Sequence, residues 1–301
     1  MHMIPKLNAK AMAQGDPKTM ATLKDAATQV GFFTVTDTAL TGDRVRDVFD
    51  VYRDFFKLPH GVKQNVDMSL TGSNRGWGAS GSEQVDPNAN PDYKQFFDCG
   101  FALKAGDKHA DKGVYAPNVW PDDTHFRDVV LAYYKDALQV SKDILDAVIR
   151  AVDANAAHFD GAFDEPMALL RGNYYPERPD WAGGKDFGIA THTDYGCLTL
   201  LATDGTPGLE VRKRGGGWIP VQAPPGDFII NFGEMLEFWT GGKVVATPHR
   251  VVGGTQERLS IPMFFNPSFD TNVAPPQSDE VILAGTHLTK RFEETYVHLK
   301  Q

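Results

Sequence analysis

The sequence predicts a mainly β protein with flanking helices, its core an antiparallel sandwich or jelly roll. Three observations predict it. From Met167 to about Pro267, roughly eight short β-rich segments alternate with Gly, Pro and Asp turns. Amphipathic helical patterns precede and follow that stretch. No part of the chain reads as a strand–helix–strand unit, so a doubly wound dinucleotide-binding sheet fits poorly.

Along the chain, Asp16 can cap a helix with Pro17 in its first position, and Met20, Leu23, Ala26, Ala27 and Val30 form its apolar stripe. Gly31 ends it, and 31–36 reads as a strand. A second amphipathic helix runs from about Gly42 to Lys57 and stops at Pro59. The stretch from Ser69 to Asn90, rich in Gly, Ser, Asn and Asp, reads as a long loop, and such loops are often functional. A long helix lies between about Asp122 and Asn155. The strands are Met167–Tyr175, Gly188–His192, Cys197–Ala202, Leu209–Arg212, Trp218–Val221, Asp227–Phe232, Val244–Val252 and Leu259–Phe265. A closing helix occupies 286–301. The whole is one domain, 1–301, with a mixed N-terminal part (1–160) and a β core (167–270).

The 301 residues carry a net charge of -9, which argues against nucleic acid or an anionic membrane surface as partner. No apolar run approaches the roughly 20 residues needed to cross a bilayer, and the N-terminus lacks the pattern of a secretory signal. Cys99 and Cys197 make a poor disulfide framework and read as buried reduced thiols in a cytoplasmic protein.

His192 and Asp194 stand two residues apart at a strand end, so both point to one side. His249, in another β-like segment after Pro248, can close a site from an adjacent strand. Two histidines and a carboxylate on one triangular face leave positions open, the ligand set of non-haem iron oxygenases. Zinc accepts the same ligands, which leaves a hydrolase open. Arg258 and Ser260 share a face of a later strand. A guanidinium with a hydroxyl beside it is a strong carboxylate site, although a surface pair of Arg258 with Glu257 or Glu210 satisfies the pattern too. Asn173 and Tyr175 share a face of another strand and can donate to the same acid.

These residues resemble, in order, the isopenicillin N synthase-like branch of the iron(II)/2-oxoglutarate-dependent oxygenases. The resemblance is carried by 173–176 (Asn-Tyr-Tyr-Pro), 192–196 (His-Thr-Asp-Tyr-Gly), 208–211, 217–221, 247–251 (Thr-Pro-His-Arg-Val) and 258–262 (Arg-Leu-Ser-Ile-Pro). Segments 76–85 and 92–97 are loosely similar to the bacterial ethylene-forming members, but Gln84 and Asp86 differ from the arginine-binding pattern there. The resemblance implies a double-stranded β-helix core and iron(II) on His192, Asp194 and His249. It implies that Arg258 and Ser260, helped by Tyr175 and Asn173, bind the distal carboxylate of 2-oxoglutarate. Dioxygen is then the oxidant, succinate and carbon dioxide are released, and ascorbate enters at most as a stimulant. Phe264 matches a position that lines the substrate pocket.

The substrate is expected to be a small anionic or aromatic metabolite. Arg75 and Arg171 suggest an anionic group; Trp77, Phe96, Phe97 and Phe264 suggest an aromatic body, with Tyr195 beside the metal. The alternatives are an iron oxidase of this fold that uses no 2-oxoglutarate, and a zinc hydrolase whose general base would have to be a carboxylate such as Glu210.

Overall fold

The computed structural model describes residues 4–86, 88–178, 180–183 and 186–296. The N-terminal part contributes β1 (Lys6–Asn8), α1 (Ala9–Ala13), α2 (Pro17–Asp25), β2 (Phe32–Thr36), α3 (Gly42–Lys57), α4 (His60–Lys63), β3 (Gly76–Gly78), β4 (Gln95–Gly100) and α5 (Thr124–Ala151). The core follows with β5 (Leu169–Tyr175), β6 (Ile189–His192), β7 (Leu198–Thr203), β8 (Leu209–Arg212), β9 (Trp218–Pro220) and β10 (Phe228–Phe232). It ends with α6 (Glu234–Trp239), β11 (His249–Val251), β12 (Arg258–Phe265) and α7 (Ala284–Thr295).

Local chemistry sets these boundaries. The Asp16 carboxylate accepts the Thr19 N–H at 2.9 Å and caps α2. One π-helical turn carries the chain to Gly31, whose φ of 74° reverses it into β2. A Cβ at Gly31 would lie 2.3 Å from Thr247 Oγ1, so the glycine also lets the chain meet the segment that leads into β11. Helix α3 buries Val45, Val48, Phe49, Tyr52, Phe55 and Phe56 along one face.

The strands form an eight-stranded sheet, ordered β1-β2-β10-β7-β12-β5-β4-β3, and a four-stranded sheet, ordered β6-β11-β8-β9. Every pairing is antiparallel except β1 with β2. This is the predicted jelly roll, with helices on the outer face of the large sheet. All eight core segments anticipated from sequence appear. Val244–Val252 shortens to β11 because Pro248 has no N–H for a ladder, so pairing begins at His249. The closing helix begins at Ala284; residues 297–301 of the expected 286–301 span lie outside the described residues. Strands β1, β3 and β4 and the short α6 were not anticipated.

Alternation divides the large sheet into two faces. On β12, Leu259, Ile261, Met263 and Phe265 pack toward α3 and α5, while Arg258, Ser260, Pro262 and Phe264 face a cavity between the sheets. On β7, Leu198, Leu200 and Ala202 take the helix side and Thr199 and Leu201 the cavity side. A second apolar cluster, including Phe32, Tyr175, Leu209, Val211 and Val251, closes one end between the sheets. Cys99 and Cys197 are free and buried, and burial pushes both thiols up. Among the described residues, no helix is long and apolar enough to cross a membrane.

Helix α3 rides directly on β5. A Cβ at Gly172 would stand 2.4 Å from the Tyr52 ring, so no larger residue fits without moving that helix. Gly172→Ala is therefore expected to cost about 1–3 kcal/mol, read as a lower denaturant midpoint at unchanged slope. An unchanged midpoint would show that Tyr52 yields freely.

Candidate metal centre

β6 ends on His192 and β11 begins on His249, and the two histidines are a directly opposed pair across the two strands. Their rings lie 4.4 Å apart, centroid to centroid. Asp194 follows in the turn after β6. Its Oδ1 is 3.7 Å from the Nε2 of each histidine, and one ligand atom from each of the three residues lies within 4.8 Å of the others. That triangle is the size at which three side chains meet one ion.

Every other side-chain polar atom of the triad is already engaged. His192 Nδ1–H donates to Ala190 O at 2.8 Å and His249 Nδ1–H to Thr247 O at 3.1 Å, which turns both Nε2 lone pairs toward the centre. Asp194 Oδ2 accepts from Asn231 Nδ2 at 2.6 Å and from the Thr199 hydroxyl, leaving Oδ1 for a metal. The Asp194 carbonyl accepts the Glu234 N–H at the start of α6, and a Cβ at Gly233 would sit 2.7 Å from that oxygen, so the ligand turn is packed tightly. Burial, then His192, pushes His249 down to about 4, and burial lowers His192 too. Burial alone would raise Asp194, but His249, His192 and the bonds from Thr199 and Asn231 hold it low. Neutral imidazoles beside an ionised carboxylate are the protonation states that bind a divalent cation.

The same cavity contains Arg258, Ser260, Asn173 and Tyr175. They are two opposed pairs across β12 and β5, Arg258 with Tyr175 and Ser260 with Asn173. The Arg258 guanidinium lies 5.0 Å over the Tyr175 ring and is 4% exposed, yet its Nη1 has no protein partner; Nε donates to Thr206 O at 3.3 Å. Asn173 Oδ1 is likewise buried and unpartnered. Neither surface partner considered for Arg258 reaches it: Glu257 accepts from Tyr174, and Glu210 pairs with Arg250 at 2.8 Å. A buried guanidinium with an open donor is a receptor for an anion.

Of the residues anticipated around a substrate, Phe264, Tyr195 and Arg171 line the cavity. Arg171 is occupied: Nε and Nη2 grip Asp98 at 2.8 and 2.7 Å, Nη1 takes Glu83 at 2.8 Å, and Nη2 also meets Tyr296 Oη at 2.5 Å. Two expectations are corrected. Arg75 does not line the cavity; it is 1% exposed and donates to Asn74 Oδ1 and, at 2.7 Å, to Val114 O, tying loops together. Phe97 faces the other way, because β4 pairs it with Gly172 on the helix side, where it packs on Phe55 and Phe126. Trp77 and Phe96 are also outside the cavity lining.

Sequence reasoning missed several residues of the wall. Glu83 and Val85 come from the long loop, and Leu288, Phe292 and Thr295 from one face of α7. The i, i+4, i+7 spacing of that last group was the available signal. Thr199 and Asn231, which hold Asp194, carried none.

Comparison with known proteins agrees with this geometry. Residues 166–267 match the 2OG-Fe(II) oxygenase superfamily, and residues 4–123 match the family described as non-haem dioxygenase in morphine synthesis N-terminal. A 2-oxoglutarate-dependent dioxygenase of Didymella fabae is 33% identical over 261 residues, 82% of this chain and 79% of its own. A homoarginine-6-hydroxylase of Oryza sativa subsp. japonica is 31% identical over 91% of this chain and 88% of its own. The crystal structure of a full-length Neurospora crassa protein in complex with alpha-KG is similar at a TM-score of 0.84 and 25% identity, over 97% of this chain and 96% of that one. Agreement of this breadth, centred on a His-Asp-His triad, means that the chain belongs to the 2OG-Fe(II) oxygenase superfamily and is a 2-oxoglutarate-dependent iron(II) dioxygenase.

Proposed function

We propose that His192, Asp194 and His249 hold the iron, and that Arg258 and Ser260, with Tyr175 and Asn173, hold the distal carboxylate of 2-oxoglutarate. The observation that carries this reading is the buried, unpartnered Arg258 Nη1 in the cavity that contains the triad. Both groups fit the residues present: three convergent ligand atoms for a divalent ion, and an open cationic donor for an acid. Bound together, iron(II), dioxygen and the keto acid supply the oxidation, releasing succinate and carbon dioxide as one substrate molecule is hydroxylated or desaturated. The chain's own residues fix the two imidazoles in one tautomer, hold Asp194 ionised, and grip the acid from one end.

The substrate is a small, largely apolar or aromatic molecule seated between Phe264, Tyr195, Leu288 and Phe292. An anionic substrate loses its support, because the two arginines that suggested one are committed elsewhere: Arg75 to loop carbonyls, and Arg171 to Asp98 and Glu83. Relatives give no single answer, since one is named for homoarginine and another similar structure is in complex with JA. We further place the chain in the isopenicillin N synthase-like branch on the strings at 192–196, 247–251 and 258–262, and as a bacterial member on the loose similarity of 76–85 and 92–97. The two free, buried thiols support a cytoplasmic setting.

Three measurements test this. Anaerobic iron(II) followed by 2-oxoglutarate is expected to give the visible charge-transfer band of the chelate. Iron binding without a band would favour the alternative of an oxidase that uses no keto acid. His192→Ala is expected to keep its fold, by circular dichroism, and to lose both iron binding and succinate formation; wild-type turnover would remove the triad from the reaction. Arg258→Ala is expected to raise the 2-oxoglutarate requirement by one to two orders of magnitude, as loss of a charged hydrogen bond of about 1.5–3 kcal/mol implies. An unchanged requirement would place the anchor elsewhere.

A further inference from the structure

The strand that presents His192 is an edge strand. Among the described residues, β6 pairs only with β11 in the four-stranded sheet, and its register slips between the His192–His249 and Ile189–Val251 pairs. Ala190 falls in that irregular stretch, where a ladder leaves main-chain groups unpaired. Both of its main-chain groups are nevertheless engaged. Ala190 O takes the His192 Nδ1–H, and Ala190 N–H donates to Asp92 Oδ1 at 3.2 Å. The edge of a ligand-bearing strand is thus completed by a side chain from a distant loop.

Asp92 is 1% exposed, and so is Lys94, whose ammonium donates to Asp92 Oδ2 at 2.9 Å. The same ammonium donates to Glu83 Oε2 at 2.6 Å. Glu83 lines the cavity and accepts from Arg171. Main-chain bonds from Gly81 N to Asp92 O (2.8 Å) and from Asp92 N to Glu83 O (3.0 Å) close this loop on itself. It also meets the end of α7, where Glu83 bridges to Tyr296 and Gln84 N–H donates to Thr295 O. A continuous chain of contacts therefore runs from the cavity wall at Glu83, through Lys94 and Asp92, to the backbone that aims His192.

We propose that Asp92 is a positioning residue for the ligand His192, and that Lys94 ties it to the cavity wall. The inference rests on the assignment of His192 to iron. Burying a lysine with two carboxylates stabilises a fold poorly compared with apolar packing, because desolvation offsets the attraction. What the arrangement does provide is placement. Partners one step removed from a metal typically change its affinity 10–100-fold, and Asp92 acts one further link away through Ala190.

The test is an anaerobic iron(II) titration of the wild-type protein and of Asp92→Ala, Asp92→Asn and His192→Ala, with thermal melts of each metal-free protein. Asp92→Ala is expected to bind iron more weakly by up to about tenfold, the lower end of the range for direct partners of a ligand, and to shift the visible band formed with 2-oxoglutarate. Asp92→Asn, whose amide oxygen still accepts from Ala190 but whose nitrogen cannot accept from Lys94, is expected to recover part of that loss. A folded Asp92→Ala protein with wild-type affinity and band would overturn the proposal, as would equal losses in the Ala and Asn variants. Should Asp92→Ala not fold, hydrogen exchange in the wild-type protein decides: the Ala190 amide is expected to exchange slowly and to slow further with iron, and exchange at the rate of a free edge amide rejects the link. Wild-type iron binding in His192→Ala rejects the ligand assignment itself. Loss there with Asp92→Ala unaffected rejects only the role of Asp92.

Discussion

The two-faced use of the large sheet is the constraint on which the rest of the molecule depends. Its central strands have no solvent face: α3 and α5 cover one side and the cavity occupies the other. A strand residue can change side only by shifting register, which would move every neighbour with it. The apolar residues of β12 therefore fix the direction of Arg258, Ser260 and Phe264 as firmly as any bond those residues make. Gly172, lying under Tyr52, holds β5 at the height that lets Asn173 and Tyr175 stand opposite that row. The site is precise because the helix-side packing is.

Two arginines face the same cavity and are treated in opposite ways. Arg171 is gripped by Asp98, Glu83 and Tyr296, so it serves as an internal counter-ion and has little left for a ligand. Arg258 keeps a buried Nη1 without a partner. Desolvating a guanidinium is costly unless an acid compensates, and the fold supplies that acid to one arginine and withholds it from the other. The acids around Arg171 are not equivalent. Burial would raise Glu83, but Arg171 and Lys94 hold it at about 2, whereas burial prevails at Asp92 and Asp98, which are raised.

Much of this was legible in the sequence where period-2 alternation decides direction. His192 with Asp194, and Arg258 with Ser260, could be placed on shared faces because residues i and i+2 of a strand have no alternative. Directions that depend on register or on distant partners were not legible. Phe97 and Asp98 are neighbours on β4, and only the pairing of Phe97 with Gly172 sends the ring to the helices and the carboxylate to Arg171. Arg75 stands in a Gly-, Ser- and Asn-rich stretch that reads as a binding loop, yet its Nη2 is taken by carbonyls of Phe101 and Val114 and its Nη1 by Asn74. The Lys94 network is hidden for the same reason, since its members gain meaning only once the loop folds back on β6.

The zinc-hydrolase alternative depends on a carboxylate free to take a proton beside the metal. Glu210, the candidate on sequence grounds, points away from the cavity and pairs with Arg250, whose guanidinium lies 4.1 Å over Trp218. Among the described residues lining the cavity, the carboxylates are Asp194 and Glu83. Asp194 offers one oxygen to the metal, and its other is held by Asn231 and Thr199. Glu83 has both oxygens taken by Arg171 and Lys94, which also hold it below the usual carboxylate range. Among the described residues the cavity has no carboxylate free to act as a base, but it has a metal triangle, an open guanidinium and an apolar wall. Such a site binds and orients, and it needs a metal with its co-substrate to bring the bond-breaking power, which is what an iron(II) and 2-oxoglutarate enzyme asks of its protein.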